Sequence, residues 1–166
     1  MPLIKSSFLF LLFFLSFFFI GSQTSLSQNI TAQIGAYNSS NCQPGDTISI
    51  PVSVTTATGI GVSAISLAIE YDTTKLECLN YVTGLNQALS SAFISNCGSF
   101  NNLGASYTQS GRQFRVSWFQ LNPVQLNGLA FNMNFRVLSP GNSSLTWDLQ
   151  TPEVCGFYND LAEEIN

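Results

Sequence analysis

From Leu129 to Val137 the chain alternates, with Leu129, Phe131, Met133, Phe135 and Val137 on one parity and Ala130, Asn132, Asn134 and Arg136 on the other. A β-strand returns its side chains to the same face every second residue, so this segment predicts a strand with one face turned to a core. The pattern occurs twice earlier. Thr47 to Val54 alternates polar with apolar behind the turn formers Pro44-Gly45-Asp46, and Ala64 to Asp72 puts Ile65, Leu67, Ile69 and Tyr71 on one parity. Such segments build sheets, and a functional surface is expected on a sheet face or a loop.

Ahead of these strands, Lys5 precedes an apolar run from Phe8 to Ile20 broken only by Ser16, and a small, polar stretch follows from Gly21 to Gln28. These are the three regions of a secretory signal. The run is short of the roughly 20 residues that span a bilayer, which favours a cleaved leader over an anchor. Ser25 and Ser27 suit a cut before Gln28, with a cut after Ser22 as the alternative, and no cysteine lies there for lipid attachment. Residues 1–27 are therefore expected to be a signal peptide. Residues 28–166 have the length of one domain with one core, secreted and with no membrane span after cleavage.

Charge and residue types exclude several functions. The chain has five Lys and Arg, Lys5 among them, against nine Asp and Glu, too few cations for a nucleic-acid surface. It has no histidine, so Ser-His and Cys-His nucleophiles are impossible. Two carboxylates could hydrolyse a glycosidic bond, and Glu70, Asp72, Glu153 and Asp160 are the nominees, but catalysis is the weakest reading and no catalytic residue is assigned. No Asp-x-Asp-x-Asp-Gly calcium loop occurs, Asn159-Asp160 with Glu163-Glu164 reads as a polar tail, and no cofactor or metal is expected.

All four cysteines, Cys42, Cys78, Cys97 and Cys155, fall in the exported part. An even number in an oxidising compartment implies disulfides, whereas zinc would need a close Cys pair or histidines. Of the possible pairings, Cys78 with Cys97 and Cys42 with Cys155 are preferred. The first pins a mid-chain loop, and the second ties the loop before an early strand to the late chain. Asn29, Asn38 and Asn142 open Asn-x-Ser/Thr sequons, which matter only in a host that glycosylates them.

Between the punctuating loops the strands follow in order. Ile30 to Ala36 is a first strand, and Thr47 to Val54 a second, in which Pro51 implies an edge or a bulge. A third ends at Tyr71, a fourth runs from Leu76 to Val82, and Gly84 to Gly111 is Asn- and Ser-rich and only partly strand-like. Arg112 to Phe119 sets Phe114, Val116 and Trp118 on one face, and Leu145, Trp147 and Leu149 alternate after the long strand. No helical period appears, and short strands at this spacing predict an all-β sandwich.

Pro44-Gly45-Asp46, Pro51-Val52, Gly59-Ile60, Tyr71-Asp72 with Leu76, Gly128-Leu129-Ala130-Phe131 leading to Phe135, and Leu145-Thr146-Trp147 together resemble the cohesin domain, most closely cohesin-like modules of secreted, surface-associated bacterial proteins. The likeness runs from about Ile34 to Asp160. It implies a jelly-roll β-sandwich of the carbohydrate-binding-module-like superfamily. It also implies a non-catalytic scaffold module, secreted and at or near the cell surface, that attaches a dockerin-like protein in surface or polysaccharide-degrading assemblies. The alternative is a carbohydrate-binding module of the same superfamily, with a polysaccharide as partner.

The contact implied by the resemblance is the outward face of the third strand, Ala64, Ser66, Ala68 and Glu70. Dockerin-binding cohesins present Asn and Asp where this chain has Ala64 and Ser66, so its recognition would not use that polar pair. Arg112, Arg115 and Arg136 could supplement a protein-binding face. For a sugar site, Trp118 and Trp147 have core parity, with the indole N–H expected to meet a loop acceptor. Tyr37, Tyr81, Tyr107 and Phe119 are the candidates for exposed rings. In the family pattern a closing strand follows the segment like Cys155 to Glu164 and lies beside the first strand. The sandwich is therefore expected to lack that strand, leaving one edge of Ile30 to Ala36 unpaired. The sequence then reads as a fragment of a longer product or as a module that accepts a neighbour's strand.

Overall fold

The computed structural model describes residues 29–36, 42–98, 113–141, 143–149 and 155–165. The expected signal peptide, Asn38, Asn142, Tyr37, Tyr107, Arg112 and Glu153 lie outside them. Among the described residues nine strands form two antiparallel sheets: β1 (Ile30–Ile34), β2 (Thr47–Thr56), β3 (Val62–Tyr71), β4 (Leu76–Thr83), β5 (Ile94–Cys97), β6 (Gln113–Val124), β7 (Asn127–Val137), β8 (Leu145–Trp147) and β9 (Gly156–Tyr158). One sheet has the order β1-β2-β7-β4. The other has the order β5-β6-β3-β8, with β9 also on β3. The fold is the expected all-β jelly-roll sandwich. Among the described residues no helix is long and apolar enough to cross a membrane.

The alternating residues fill the space between the sheets. Ile50, Val52 and Val54 of β2 meet Phe131, Met133 and Phe135 of β7, and across from them lie Ile65, Leu67 and Ile69 of β3 with Phe114, Val116 and Trp118 of β6, all buried. Phe114 and Phe131 join the layers with ring centroids 6.2 Å apart. Trp118 is in the core as its parity requires, and Trp147 packs against the core's edge. Among the described residues the expected acceptor for the Trp118 indole is not found, and its Nε1 has no hydrogen-bond partner there.

Three departures from simple alternation have visible causes. Val52 pairs with Phe131 but Ser53 pairs with Leu129, so β7 carries an extra residue at Ala130. This bulge turns Ala130 inward and leaves Leu129 41% exposed, against its expected place in the core. Pro51 lies in β2, which is central rather than at an edge, yet Gly35 N–H donates to Pro51 O (2.7 Å) just where β1 ends. The side of Pro51 that lacks an N–H therefore faces the end of a strand. A Cβ on Gly35 would sit 2.4 Å from the Pro51 ring, which limits that position to glycine. The third departure is in β4, where the register shifts between Cys78 and Val82 and Asn80 takes φ 56°.

That β4 bulge is tied to the other sheet. A Cys78–Cys97 disulfide joins β4, the edge of one sheet, to β5, the edge of the other. Asn80 Oδ1 accepts from Cys97 N–H (3.0 Å) beside it. Cys42 and Cys155 are not disulfide-bonded. Their expected pairing fails because β3 holds Cys155, whereas Cys42 sits in the loop before β2, packed against the core.

Candidate functional site

The outward face of the β5-β6-β3-β8 sheet is set by its register. Across β3 and β6, Ala64 faces Phe119, Ser66 faces Ser117, Ala68 faces Arg115 and Glu70 faces Gln113. Ile94 of β5 extends the Ser66–Ser117 row, and Tyr158 of β9 lies opposite Ala64 on the other side. Tyr158 folds back over Gly156, where a Cβ would meet its hydroxyl oxygen at 2.7 Å.

One half of this face is apolar and bare. Phe119 is 64% exposed and Ile94 60% exposed, and Leu121, where β6 bulges against β3, is 90% exposed. Beside Ile94 and Phe119 lie the small residues Ser117, Ser66 and Ala64, a shallow floor next to large apolar side chains. Large apolar groups left together in water mark contact surfaces more often than chance does.

The other half is polar and internally satisfied. Arg115 donates from Nε (2.9 Å) and Nη2 (2.6 Å) to Gln113 Oε1. Gln113 Nε2 donates in turn to Asp148 Oδ2 (2.7 Å) and Glu70 Oε1 (3.4 Å). Gln113 and Asp148 are both buried. Arg115 is thereby committed to its own sheet, and Arg136 lies on the opposite sheet, paired with Glu77 at 2.8 Å. Neither cation supplements the apolar half as the sequence reading allowed.

Of the four expected contact residues, Ala64 and Ser66 are half-buried on the face, Glu70 is exposed at its polar end, and Ala68 is 0% exposed. Beside Ala68 the described strand next to β3 is interrupted. β8 pairs with Ile69–Tyr71 and β9 with Ala64–Ser66. At the gap, Asp148 N–H donates to Ala68 O (2.9 Å), and the Cys155 thiol both accepts from Ala68 N–H (3.2 Å) and donates to Ala68 O (3.3 Å). A side-chain thiol thus takes the place of a missing ladder residue.

Burial, and after it the charge of Asp148, holds the Cys155 thiol above its ordinary range. As pH rises the unfolded chain loses this proton first, so the thiol's contribution is complete below the ordinary thiol range and is lost as pH passes the raised value. In urea titrations between about pH 7 and 10 the protein should therefore lose more stability than its Cys155→Ser variant. Equal losses would mean that the thiol contributes nothing.

Sequence reasoning missed Ile94 and Leu121. Ile94 sits in a four-residue strand inside an Asn- and Ser-rich passage, and Leu121 follows the point where alternation stops. Among the exposed-ring candidates, Phe119 lies on this face and Tyr81 on β4 of the other sheet, so they form no common platform. Of the nominated carboxylates, the three among the described residues do not converge either. Glu70 joins the polar cluster, Asp72 Oδ1 accepts from Thr74 N–H (2.8 Å) and hydroxyl (2.7 Å) in a turn, and Asp160 is in the C-terminal turn. Among the described residues no group of three potential ligands could hold a metal ion.

The two sheets make a jelly-roll sandwich with exposed apolar residues on part of one outer face. The cohesin-domain family model matches residues 30–113, just over half of the chain, and the protein belongs to the cohesin family. Domains of this family are non-catalytic binding modules. No curated protein matches the chain at a significant level. Among solved structures it is similar to a type I cohesin–dockerin complex from Clostridium thermocellum, at 17% identity and TM-score 0.60 over 83% of this chain and 92% of that one. A non-cellulosomal cohesin from the archaeon Archaeoglobus fulgidus matches at 22% identity and TM-score 0.56 over 83% of each chain. The cohesin module of a family 33 glycoside hydrolase from Clostridium perfringens matches at 10% identity and TM-score 0.54, over 83% of this chain and 87% of that one.

Proposed function

We propose that the protein is a secreted, non-catalytic attachment module whose uncovered sheet face docks a dockerin-like protein within a surface or polysaccharide-degrading assembly. The observation that carries this is the exposed Phe119, Ile94 and Leu121 of β5 and β6 beside the small residues Ala64 and Ser66. A partner's apolar side chains would rest on that floor, which lacks the Asn and Asp pair of dockerin-binding relatives. Residues 1–27 would deliver the domain across the membrane as a leader.

Titration calorimetry against a panel of purified dockerin modules tests the reading. Phe119→Asp should weaken the tightest complex by about 30-fold or more, because a charge would stand where an apolar anchor is desolvated. Its melting temperature should stay close to that of the unaltered protein, since the ring is already in water. Unchanged affinity would place the contact elsewhere. Retardation in soluble glycan gels, abolished by the same substitution, would favour the carbohydrate-binding alternative.

A further inference from the structure

We infer that the outward face of the β1-β2-β7-β4 sheet is a separate binding site for a neutral polysaccharide, an extended chain of uncharged sugar rings. Parity identifies the residues that form it. Ile50, Met133 and Val82 point into the core, so Ser49 of β2, Asn132 and Asn134 of β7, and Tyr81 and Thr83 of β4 point out. The register sets Asn134 beside Ser49, and Asn132 between Pro51 and Thr83.

Charge selects the class of ligand. Glu77 and Arg136 are the only charged residues in these four strands, and they pair with each other at 2.8 Å. An ionic ligand would find no counter-charge. A protein would find little to bury, because a stable protein interface takes about 800 Å² from each partner around an apolar centre. On these strands Tyr81 and Leu129 are the exposed large hydrophobic residues. The face offers instead one aromatic ring among neutral donors and acceptors. Tyr81 is 46% exposed. Asn134 is buried, and its amide is committed to Ser49, Thr83 and Tyr81 O (3.2 Å), which fixes both hydroxyls and the backbone that carries the ring. Asn132 differs, since among the described residues its side chain makes no hydrogen bond. Its Nδ2 lies 2.7 Å from where a Cβ on Gly84 would sit, so the glycine leaves room for this amide. Amides and hydroxyls both donate and accept, as sugar hydroxyls do, and the negative face of an aromatic ring receives the C–H side of a sugar ring. Asn132 and Asn134 are two residues apart on β7, about 7 Å, so the Asn132 amide and the ring beside Asn134 can engage neighbouring sugars of one chain. The site lies on the opposite sheet from Phe119, goes beyond the docking reading and does not rest on it.

Native gels cast with hydroxyethylcellulose, xyloglucan or galactomannan, with anionic polygalacturonate as the control, test the inference. At least one neutral glycan should retard the protein, and polygalacturonate should not. Tyr81→Ala should weaken binding to the retarding glycan about five-fold or more, and Tyr81→Leu should match it, because bulk without a ring does not stack. Asn132→Ala should weaken it about three-fold. Tyr81→Ala should leave dockerin titrations and the melting temperature close to those of the unaltered protein. Retardation by none of the neutral glycans, retardation unchanged in Tyr81→Ala, or equal retardation by polygalacturonate would overturn the inference. So would loss of retardation in Phe119→Asp, which would move the sugar to the docking face, or a dockerin complex weakened by Tyr81→Ala, which would make this face a protein contact.

Discussion

Ala68→Arg should unfold the protein or cost it at least about 3 kcal/mol in urea titration, although alternation alone marks position 68 as surface. Ala68 has no exposed area, and its backbone is bonded to Asp148 and Cys155. A guanidinium there must displace those neighbours, and it would stand directly across from Arg115, where like charges repel. The long side chain could reach water only by levering apart the interrupted strand beside β3. Glu70→Gln, two residues along the same face, is the control and should cost less than about 1 kcal/mol, because that side chain is already exposed. A stable Ala68→Arg protein would show that the cover over β3 yields easily and that the docking face extends across it.

Reducing the Cys78–Cys97 bond, or replacing both cysteines by serine, should lower stability by about 3 kcal/mol, the value for a loop near the 19-residue separation of this pair. The bond joins the edges of two different sheets, so its removal frees β5, a four-residue strand held otherwise by β6. Ile94 belongs to that strand. The same treatment should therefore weaken any partner held at the docking face by more than the serine side chains explain. Thermal melts with and without reductant, together with dockerin titrations of the reduced protein, measure both effects. A melting temperature indifferent to reductant would contradict the first expectation.

How much was legible depended on whether pattern or interruption dominates locally. β2, β3, β6 and β7 are long and face the core on one side, so the two-residue period identified them to within a few residues. β5 and β9 are only four and three residues long, too short for a period to show, and their pairing comes from β6 and β3. The errors at Leu129 and Ala68 share a cause. A bulge at Ala130 shifts one parity, and the other position lies beside a break between β8 and β9, both features of the strands' pairing rather than of the local pattern. The proposed docking face was half visible for the same reason. Ala64 and Ser66 lie on a regular strand, whereas Ile94 comes from an unrecognised one and Leu121 from a bulge.

The sandwich is bound differently along its two long sides. On the β4 and β5 side a covalent bond links the layers, while on the β1 side, among the described residues, the outer strand pairs with β2 alone. Thermal motion will therefore open it as a book opens, with the disulfide as its spine and β1 as the free page. Such breathing wets Ile30, Ala32 and Ile34 long before it reaches Phe114 or Phe131, so loosening is graded from one cover to the other. A pull applied through the N-terminal end of β1 would peel that strand from β2 one ladder bond at a time. A pull applied across β4 and β5 would load the sulfur bridge first and leave the layers together.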